Sequence, residues 1–309
     1  MAITLRKHTS DGVVGLDIDG GFVAAAQLNG DGVQRAASRA LESDIVRDGE
    51  VLSAERLGNA LKEFFREESL PRRVRLGVAN QQIVVRHIEM PKIADESERD
   101  AAIRFQTAET VAMPLDEAVI DYQTVGESTA DGGVTRERIL VVAARKAMIL
   151  RLTDAARRAG LKPEGVDLSA FALVRTLAGS SHPDGEARVY CHLGGVANVA
   201  VALGSNCLFT RPLTADWEGG DGAVESLAEE LRMSIEYYRT QSDAPPVREI
   251  VLSGPGARIE GLPERVGELI GLAAHAADPL GRMSAAPFPE DEDPYHHTVS
   301  LGLALGASE

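Results

Sequence analysis

Two aspartates, Asp17 and Asp19, stand at the end of an apolar run over residues 13–18 and lead directly into Gly20-Gly21. Carboxylates are the hard oxygen donors that Mg²⁺ prefers while it keeps much of its own water, so the pair is a candidate cation site with Asp17 as the metal-site carboxylate. Two further turns of similar make-up follow apolar runs: Gly194-Gly195 after Cys191-His192, and Gly254-Pro255-Gly256-Ala257 after residues 249–253. Glycine accepts a positive φ and close backbone approach, which lets successive N–H groups cradle phosphate oxygens. Gly20, Gly21, Gly194, Gly195, Gly254, Gly256 and Ala257 are therefore candidate contacts for a nucleotide gripped between two halves of the chain. Each has a plainer alternative. Asp17 also reads as a solvated or capping aspartate, and any tight turn wants glycine.

Other reactive side chains carry less. His192 has the chemistry of a general base, but a packed histidine at a strand end is the commoner situation. His87 and Glu89 share a strand face and His296-His297 are neighbours in a loop; without a third convergent ligand both pairs read as surface residues rather than zinc sites. The acidic stretch 290–293 reads as a solvated loop. No Gly-x-Ser-x-Gly, Walker lysine or Cys–His pairing is present. Cys191 and Cys207 are too few for a disulfide scaffold and read as buried thiols in a reducing compartment. The net charge of −15 argues against nucleic acid or an anionic membrane as the partner surface. The polar first ten residues predict no signal peptide, and no stretch reaches the roughly 20 apolar residues of a membrane span. The expectation is a cytoplasmic chain that meets a membrane only through a partner.

The elements that must position these groups follow from periodicity. The runs at 13–18 and 22–28, separated by Asp19-Gly20-Gly21 and closed by Asn29-Gly30-Asp31-Gly32, predict an antiparallel meander. Ser53 is spaced to cap a helix with Leu57, Leu61, Phe64 and Phe65 on one face, ended before Pro71. Residues 74–78 and 83–88 read as strands. Asp95 and Glu98 have capping-box spacing for a helix whose stripe continues through Ala102, Phe105, Ala108 and Ala112. Strands at 121–123 and 139–142, about a polar loop at 129–133, complete an α+β unit. Two helices, near 147–159 and 169–178, precede a small polar linker at 179–185. A gap-free alignment of residues 17–28 with 192–203 pairs Ile18 with Leu193, Gly20 with Gly195 and Leu28 with Leu203. The meander thus reads as repeated, one copy opening each half, with two unrelated meanders as the alternative. A helix carrying Val224, Leu227, Leu231, Ile235 and Tyr238 follows, broken at Ala244-Pro245-Pro246. A strand at 249–253, a helix from Leu262 and a terminal helix near 300–305 complete the chain.

The order of these motifs resembles the actin and sugar-kinase superfamily: a first phosphate loop at 14–21, a second at 191–195 and an adenosine motif at 250–262. Within it the chain looks like a member of the type IV pilus assembly PilM family, a relative of FtsA. The stretches that carry this likeness include Ile103-Arg104-Phe105-Gln106, Met113-Pro114-Leu115, Val141-Val142-Ala143-Ala144, Phe209-Thr210-Arg211 and Ser300-Leu301-Gly302-Leu303-Ala304. It extends over nearly the whole chain, and its specificity lies in the order. The resemblance implies an α/β fold of duplicated actin-like (ribonuclease H-like) lobes around a central nucleotide cleft. Lobe 1 would span 12–79 and 146–180, an inserted α+β subdomain 80–145, and lobe 2 186–309 with a helical subdomain at 216–247. Glu230 falls where such folds place a ribose contact; an exposed helical glutamate is the alternative.

The resemblance also implies ATP with Mg²⁺ in the cleft, and the departures from it predict weak or lost binding. PilM-like first loops usually read Asp-Ile-Gly-Ser-Ser; here Asp17-Ile18-Asp19-Gly20-Gly21 lacks the hydroxyls and adds a negative charge. The usual lysine falls on Ala24 and the second loop's aspartate on His192, a poor hard-cation ligand. Pro255 removes an N–H donor. The implied role is a scaffold, not a metabolic enzyme, at the inner face of the cytoplasmic membrane. It would capture the N-terminal tail of a PilN-like bitopic protein near residues 85–90 and the helix at 96–111, as an added strand or by apolar anchors. Bound nucleotide would bias the angle between the lobes. A pilus motor ATPase and self-association are further expected contacts; nucleic acid and direct membrane insertion are not. The rivals are a small-molecule kinase of the sugar-kinase branch, which needs a catalytic aspartate in the second lobe or interlobe region and against which the substitution at His192 counts, and an FtsA-like filament former, which needs a membrane-binding C-terminal helix.

Overall fold

The computed structural model describes residues 12–30, 32–111, 113–129, 135–178, 185–214, 217, 222–241, 244–284 and 288–306. In chain order the first elements are β1 (Val13–Asp19), β2 (Phe22–Asn29), β3 (Gly32–Ala40), the short β4 (Val46–Arg47) and β5 (Glu50–Val51), α1 (Ala54–Glu67) and β6 (Arg73–Val78). Then come β7 (Val84–Pro91), α2 (Glu96–Thr110), β8 (Ala118–Thr129), β9 (Thr135–Arg145), α3 (Lys146–Arg158), β10 (Lys162–Leu168) and α4 (Ser169–Leu177). The second half holds β11 (Ala187–His192), β12 (Asn198–Leu203), β13 (Asn206–Pro212), α5 (Ala223–Arg239), β14 (Val247–Ser253), α6 (Leu262–Ile270), β15 (Ala273–Ala276) and α7 (Thr298–Gly306). Short 3₁₀ turns at Pro255–Arg258 and Pro294–His297 precede α6 and α7. The chain forms two units, Met1–Asn80 with Thr153–Glu309, and Gln81–Leu152.

The larger unit contains two five-stranded sheets, ordered β10-β6-β1-β2-β3 and β13-β12-β11-β14-β15. In each, a three-stranded antiparallel meander is extended by two parallel strands. The duplication expected from the repeated meander is therefore present, but the gap-free register is not. Gly20-Gly21 alone join β1 to β2, whereas residues 193–197 join β11 to β12.

Alternation along the second sheet explains its layers. Val189, Cys191, Val199, Val201, Ile250 and Leu252 pack with Leu227, Leu231, Ile235 and Tyr238 of α5 and Val266 of α6. The intervening Tyr190, Ala200, Ala202 and Val251 face Ala170, Leu173 and Val174 of α4. Residues one apart on a strand face opposite sides, so one sheet serves two layers. On the far side of α4 lies α7, joined to it through Ala172, Val299 and Leu303, and α7 in turn covers β1 and β2 through Leu301, Ala304, Ala26 and Leu28. A Cβ at Gly15 would overlap the Ser300 carbonyl and stand 2.6 Å from the Ala304 nitrogen, so glycine there lets α7 lie directly on β1.

This exchange crosses the expected lobe boundaries, 12–79 with 146–180 and 186–309. The helix that ends the first half packs on the second sheet, and the helix that ends the chain packs on the first. Within the expected helical subdomain at 216–247, the α5 stripe packs in the core of the second sheet. Apolar periodicity tells that a helix is buried, not which sheet buries it.

The smaller unit is a three-stranded antiparallel sheet, ordered β7-β9-β8, with α2 on the face bearing Ile88, Met90, Ile139 and Val141. Asp95 caps α2, its carboxylate accepting from the Glu98 N–H at 2.9 Å. The stripe is misphased from the one expected. Ile103 and Thr107 are its buried residues, whereas Phe105 is 66% exposed. Ala112 lies outside the described residues, as do residues 179–184 of the expected linker.

Candidate functional site

The strand ends of the two sheets bring Asp19 to the second glycine turn. The Gly195 N–H donates to Asp19 Oδ2 at 2.6 Å, and the Val196 N–H donates to Oδ1 at 2.8 Å. Both carboxylate oxygens are thus engaged by successive backbone amides, the arrangement in which a turn binds an anion. Glycine at 194 and 195 is required by this approach. A Cβ on Gly194 would overlap Asp19 Oδ2, and one on Gly195 would stand 2.5 Å from Oδ1.

Beside this contact is a cavity lined by Asp17, Asp19, Ser169, His192, Asn198 and Val299, among others, with no Lys or Arg among the described residues of its wall. Its free volume of about 10 Å³ has room for about one water molecule. Asp17, Asp19, His192 and Asn198 are all more than nine-tenths buried. Burial pushes the Asp17 carboxyl well above the usual carboxylate range, and the neighbouring Asp19 charge adds to that; the hydrogen bond with the Ile18 backbone opposes both. Burial also lowers the pKa of His192; the Asp19 charge opposes this and His296 reinforces it. At neutral pH the imidazole is uncharged. Neither of its nitrogens, nor Asn198 Oδ1, has a hydrogen-bond partner among the described residues.

The expected site residues distribute as follows. Asp17, Asp19, Gly194 and Gly195 come together. Gly20 and Gly21 form the β1–β2 turn, with open space where a side chain would stand. Gly254, with φ +81°, and Gly256 pack under the second turn, the Gly256 N–H donating to the Leu193 carbonyl at 3.1 Å. Ala257 is buried in the core of the second sheet. Glu230 does not line the cavity. Nor is it a free exposed glutamate: Arg211 Nη2 and Thr214 Oγ1 each donate to it at 2.6 Å.

Three other readings change. Asp17 is buried, which removes the solvated alternative. The 290–293 stretch is not simply solvated, because Glu292 accepts from the Ser38 N–H at 2.8 Å and the Ser38 hydroxyl at 2.7 Å and pairs with His297 Nε2 at 2.8 Å. His297 is accordingly a fully buried residue rather than a surface one, while His296 stacks on Phe22 at 5.0 Å between ring centroids. Although Ser300 Oγ lies 3.4 Å from His297 Nδ1, it is fully buried and also donates to the His297 carbonyl, so it is no nucleophile.

Sequence reasoning missed Ser169, Asn198 and Trp217. The indole N–H of Trp217 donates to the Gly194 carbonyl at 2.9 Å, and a Cβ on Gly256 would stand 2.6 Å from its ring. The signal available was its being the single tryptophan of the chain, placed between two glycine turns.

Measured against ATP–Mg²⁺, this cleft does not fit in the arrangement seen. The second turn's amides already hold a carboxylate, the third turn is covered by an indole, and the remaining space is far below the roughly 300 Å³ or more of a ligand pocket. Among the described residues no three His, Cys, Asp or Glu side chains converge as metal ligands.

The type IV pilus assembly protein PilM family matches residues 15–203. Among solved structures, the chain superposes on one of a PilM–PilN type IV pilus biogenesis complex with a TM-score of 0.83 at 21% identity, over 96% of this chain and 98% of that one. It also superposes on the cytoplasmic domain of EpsL, an inner membrane component of the type II secretion system of Vibrio cholerae. That TM-score is 0.53 at 10% identity, over 95% of this chain and 94% of that one. For MreB5 of Spiroplasma citri bound to ADP the TM-score is 0.51 at 11% identity, over 96% of each chain. At these identities the likeness is one of fold, and that fold is actin-like.

Proposed function

We propose, from the premise that this chain belongs to the type IV pilus assembly protein PilM family, that it is a scaffold capturing the extended N-terminal tail of a PilN-like membrane protein. The observation that carries this reading is the family match, which spans the first sheet's meander and the whole of the smaller unit. Two features of the chain support it. Among the described residues β7 is an edge strand, paired with β9 on one side, so an added strand can bond to its outer backbone groups while side-chain positions supply specificity. On α2 of the same unit, Phe105 offers a large exposed apolar anchor. No helix among the described residues is long and apolar enough to cross a membrane, and attachment through the bound tail supplies the membrane contact.

The test is titration of a labelled synthetic PilN-like tail into the full chain, with and without ATP–Mg²⁺. Saturable binding is expected, weakened about tenfold or more by Phe105→Glu with the melting temperature unchanged, as for an apolar anchor. Absence of binding in both conditions refutes the reading, and so does steady ATP turnover with a small acceptor.

A further inference from the structure

We infer that Asp19 is the chain's own substitute for a nucleotide phosphate, a tethered anion that fills the amide cradle of the second turn and holds the two sheets together without a ligand. The two amides that meet its carboxylate belong to Gly195 and Val196, 176 and 177 residues away in sequence and on the other sheet's turn. Each oxygen takes one N–H, which is how a phosphate edge would be bound there. Both glycines that border the cradle are needed for the carboxylate's approach, as any larger residue would collide with it.

Charge and space point the same way. A triphosphate entering this cleft would bring several negative charges to a wall that contains Asp17 and Asp19 and, among the described residues, no Lys or Arg. His192, whose pKa burial lowers and which has no hydrogen-bond partner among the described residues, supplies no counter-charge at neutral pH. Trp217 meanwhile covers the third turn, hydrogen-bonded to Gly194 and in contact with Gly256. An incoming nucleotide must displace both side chains. The carboxylate competes as part of the same chain, at an effective concentration no free ligand matches. The closed cleft is therefore a property of the sequence rather than of nucleotide supply.

The experiment measures thermal unfolding of the full chain as wild type, Asp19→Ala and Asp19→Asn, each with inorganic phosphate, ATP–Mg²⁺ or chloride of equal ionic strength. Wild type is expected to be indifferent to all three at millimolar concentration. Asp19→Ala should melt about 5 °C lower, having lost two charge-assisted hydrogen bonds. It should regain about 3 °C with phosphate and not with chloride, because the vacated cradle now binds the anion. Asp19→Asn, which keeps the shape without the charge, should fall between the two. A rise for wild type with ATP–Mg²⁺ would overturn the inference, as would an Asp19→Ala protein as stable as wild type and deaf to phosphate. Hydrogen exchange on wild type needs no variant to fold: the Gly195 and Val196 amides should be protected equally with and without ATP–Mg²⁺, and rapid exchange in its absence would also overturn it.

Discussion

Gly302 is the point at which the exchanged helices meet, so Gly302→Ala tests the architecture directly. A Cβ there would overlap the Ala172 carbonyl of α4 and stand 2.6 Å from Thr176 Oγ1. The obstructing atom is backbone, so relief requires the helices to separate. Separation strains two bonds made across the crossing, Thr176 Oγ1 to the Thr298 carbonyl at 2.7 Å and Arg175 Nη1 to the Gly302 carbonyl at 2.8 Å. Overpacking a core costs about 1–3 kcal/mol, and each hydrogen bond lost about 1 kcal/mol. Against this, alanine gains about 1 kcal/mol over glycine in a helix interior. The crowding wins, leaving a net loss of about 2–4 kcal/mol, or roughly 3–6 °C in melting temperature for a chain of this size. Circular dichroism melts and urea titration of the full chain supply the measurement. Gly126→Ala, where nothing lies within 4 Å of the added methyl, is the control and should stay within about 0.5 kcal/mol of wild type. A Gly302→Ala protein as stable as wild type or more so would mean that helix propensity outweighs the crossing, and would refute the close α4–α7 contact.

Two carboxylates should respond to pH with opposite sign. Burial pushes Glu292 up, but hydrogen bonds from His297 and Ser38 outweigh it and hold the carboxyl at about 2. Its contribution is complete above the ordinary value near 4.5 and is lost as pH falls through about 2, so Glu292→Gln should cost about 2 kcal/mol at pH 7 and flatten the acid limb of stability against pH, and an unchanged limb would refute this. Asp17 is raised, so the folded state holds its proton more tightly than the unfolded state and stability falls as pH rises above 3.8 towards the folded value. Asp17→Asn should therefore gain about 1 kcal/mol or more at pH 8 and remove that slope; equal slopes in urea titrations from pH 5 to 8 would refute it.

What the sequence made legible was local. Ser53 and Asp95 cap the helices their spacing implied, because a cap and its helix lie within three residues. Meander order was legible because hairpin turns join neighbours in sequence. The α2 stripe was misread because Ala102, Phe105 and Ala108 keep helical spacing on one side while Ile103 and Thr107 keep it on the next; tertiary packing, not periodicity, chose between them. The contents of the cleft were out of reach for a stronger reason. Asp19 announced itself as a charge where phosphate was expected, but its partners are amides 176 and 177 residues on, and backbone amides leave no mark in residue type. Likewise α7 is apolar on nearly every side, which fixes its burial without naming the sheet it joins.

The departures in the cleft and the packing beneath it make one argument about rigidity. Two backbone amides converge at the second turn, and an anionic acceptor there is worth about 1.5–3 kcal/mol per bond. A bound phosphate would supply one only in proportion to its concentration, whereas Asp19 supplies it always. The two sheets are braced a second time by the helix pair, where Ser253 Oγ of β14 donates to Thr298 Oγ1 of α7 at 2.7 Å and Thr176 of α4 donates to the Thr298 carbonyl. One brace would leave a hinge about its own position; two, at the strand ends and at the helices, oppose rotation about either. A switch needs a ligand with different affinity for two arrangements, and a cleft already filled by the chain gives such a ligand little purchase. The proposed scaffold needs the reverse, a geometry that stays the same whatever the nucleotide supply, and the inferred role of Asp19 would provide it with the residue that first looked like a defect in the phosphate loop.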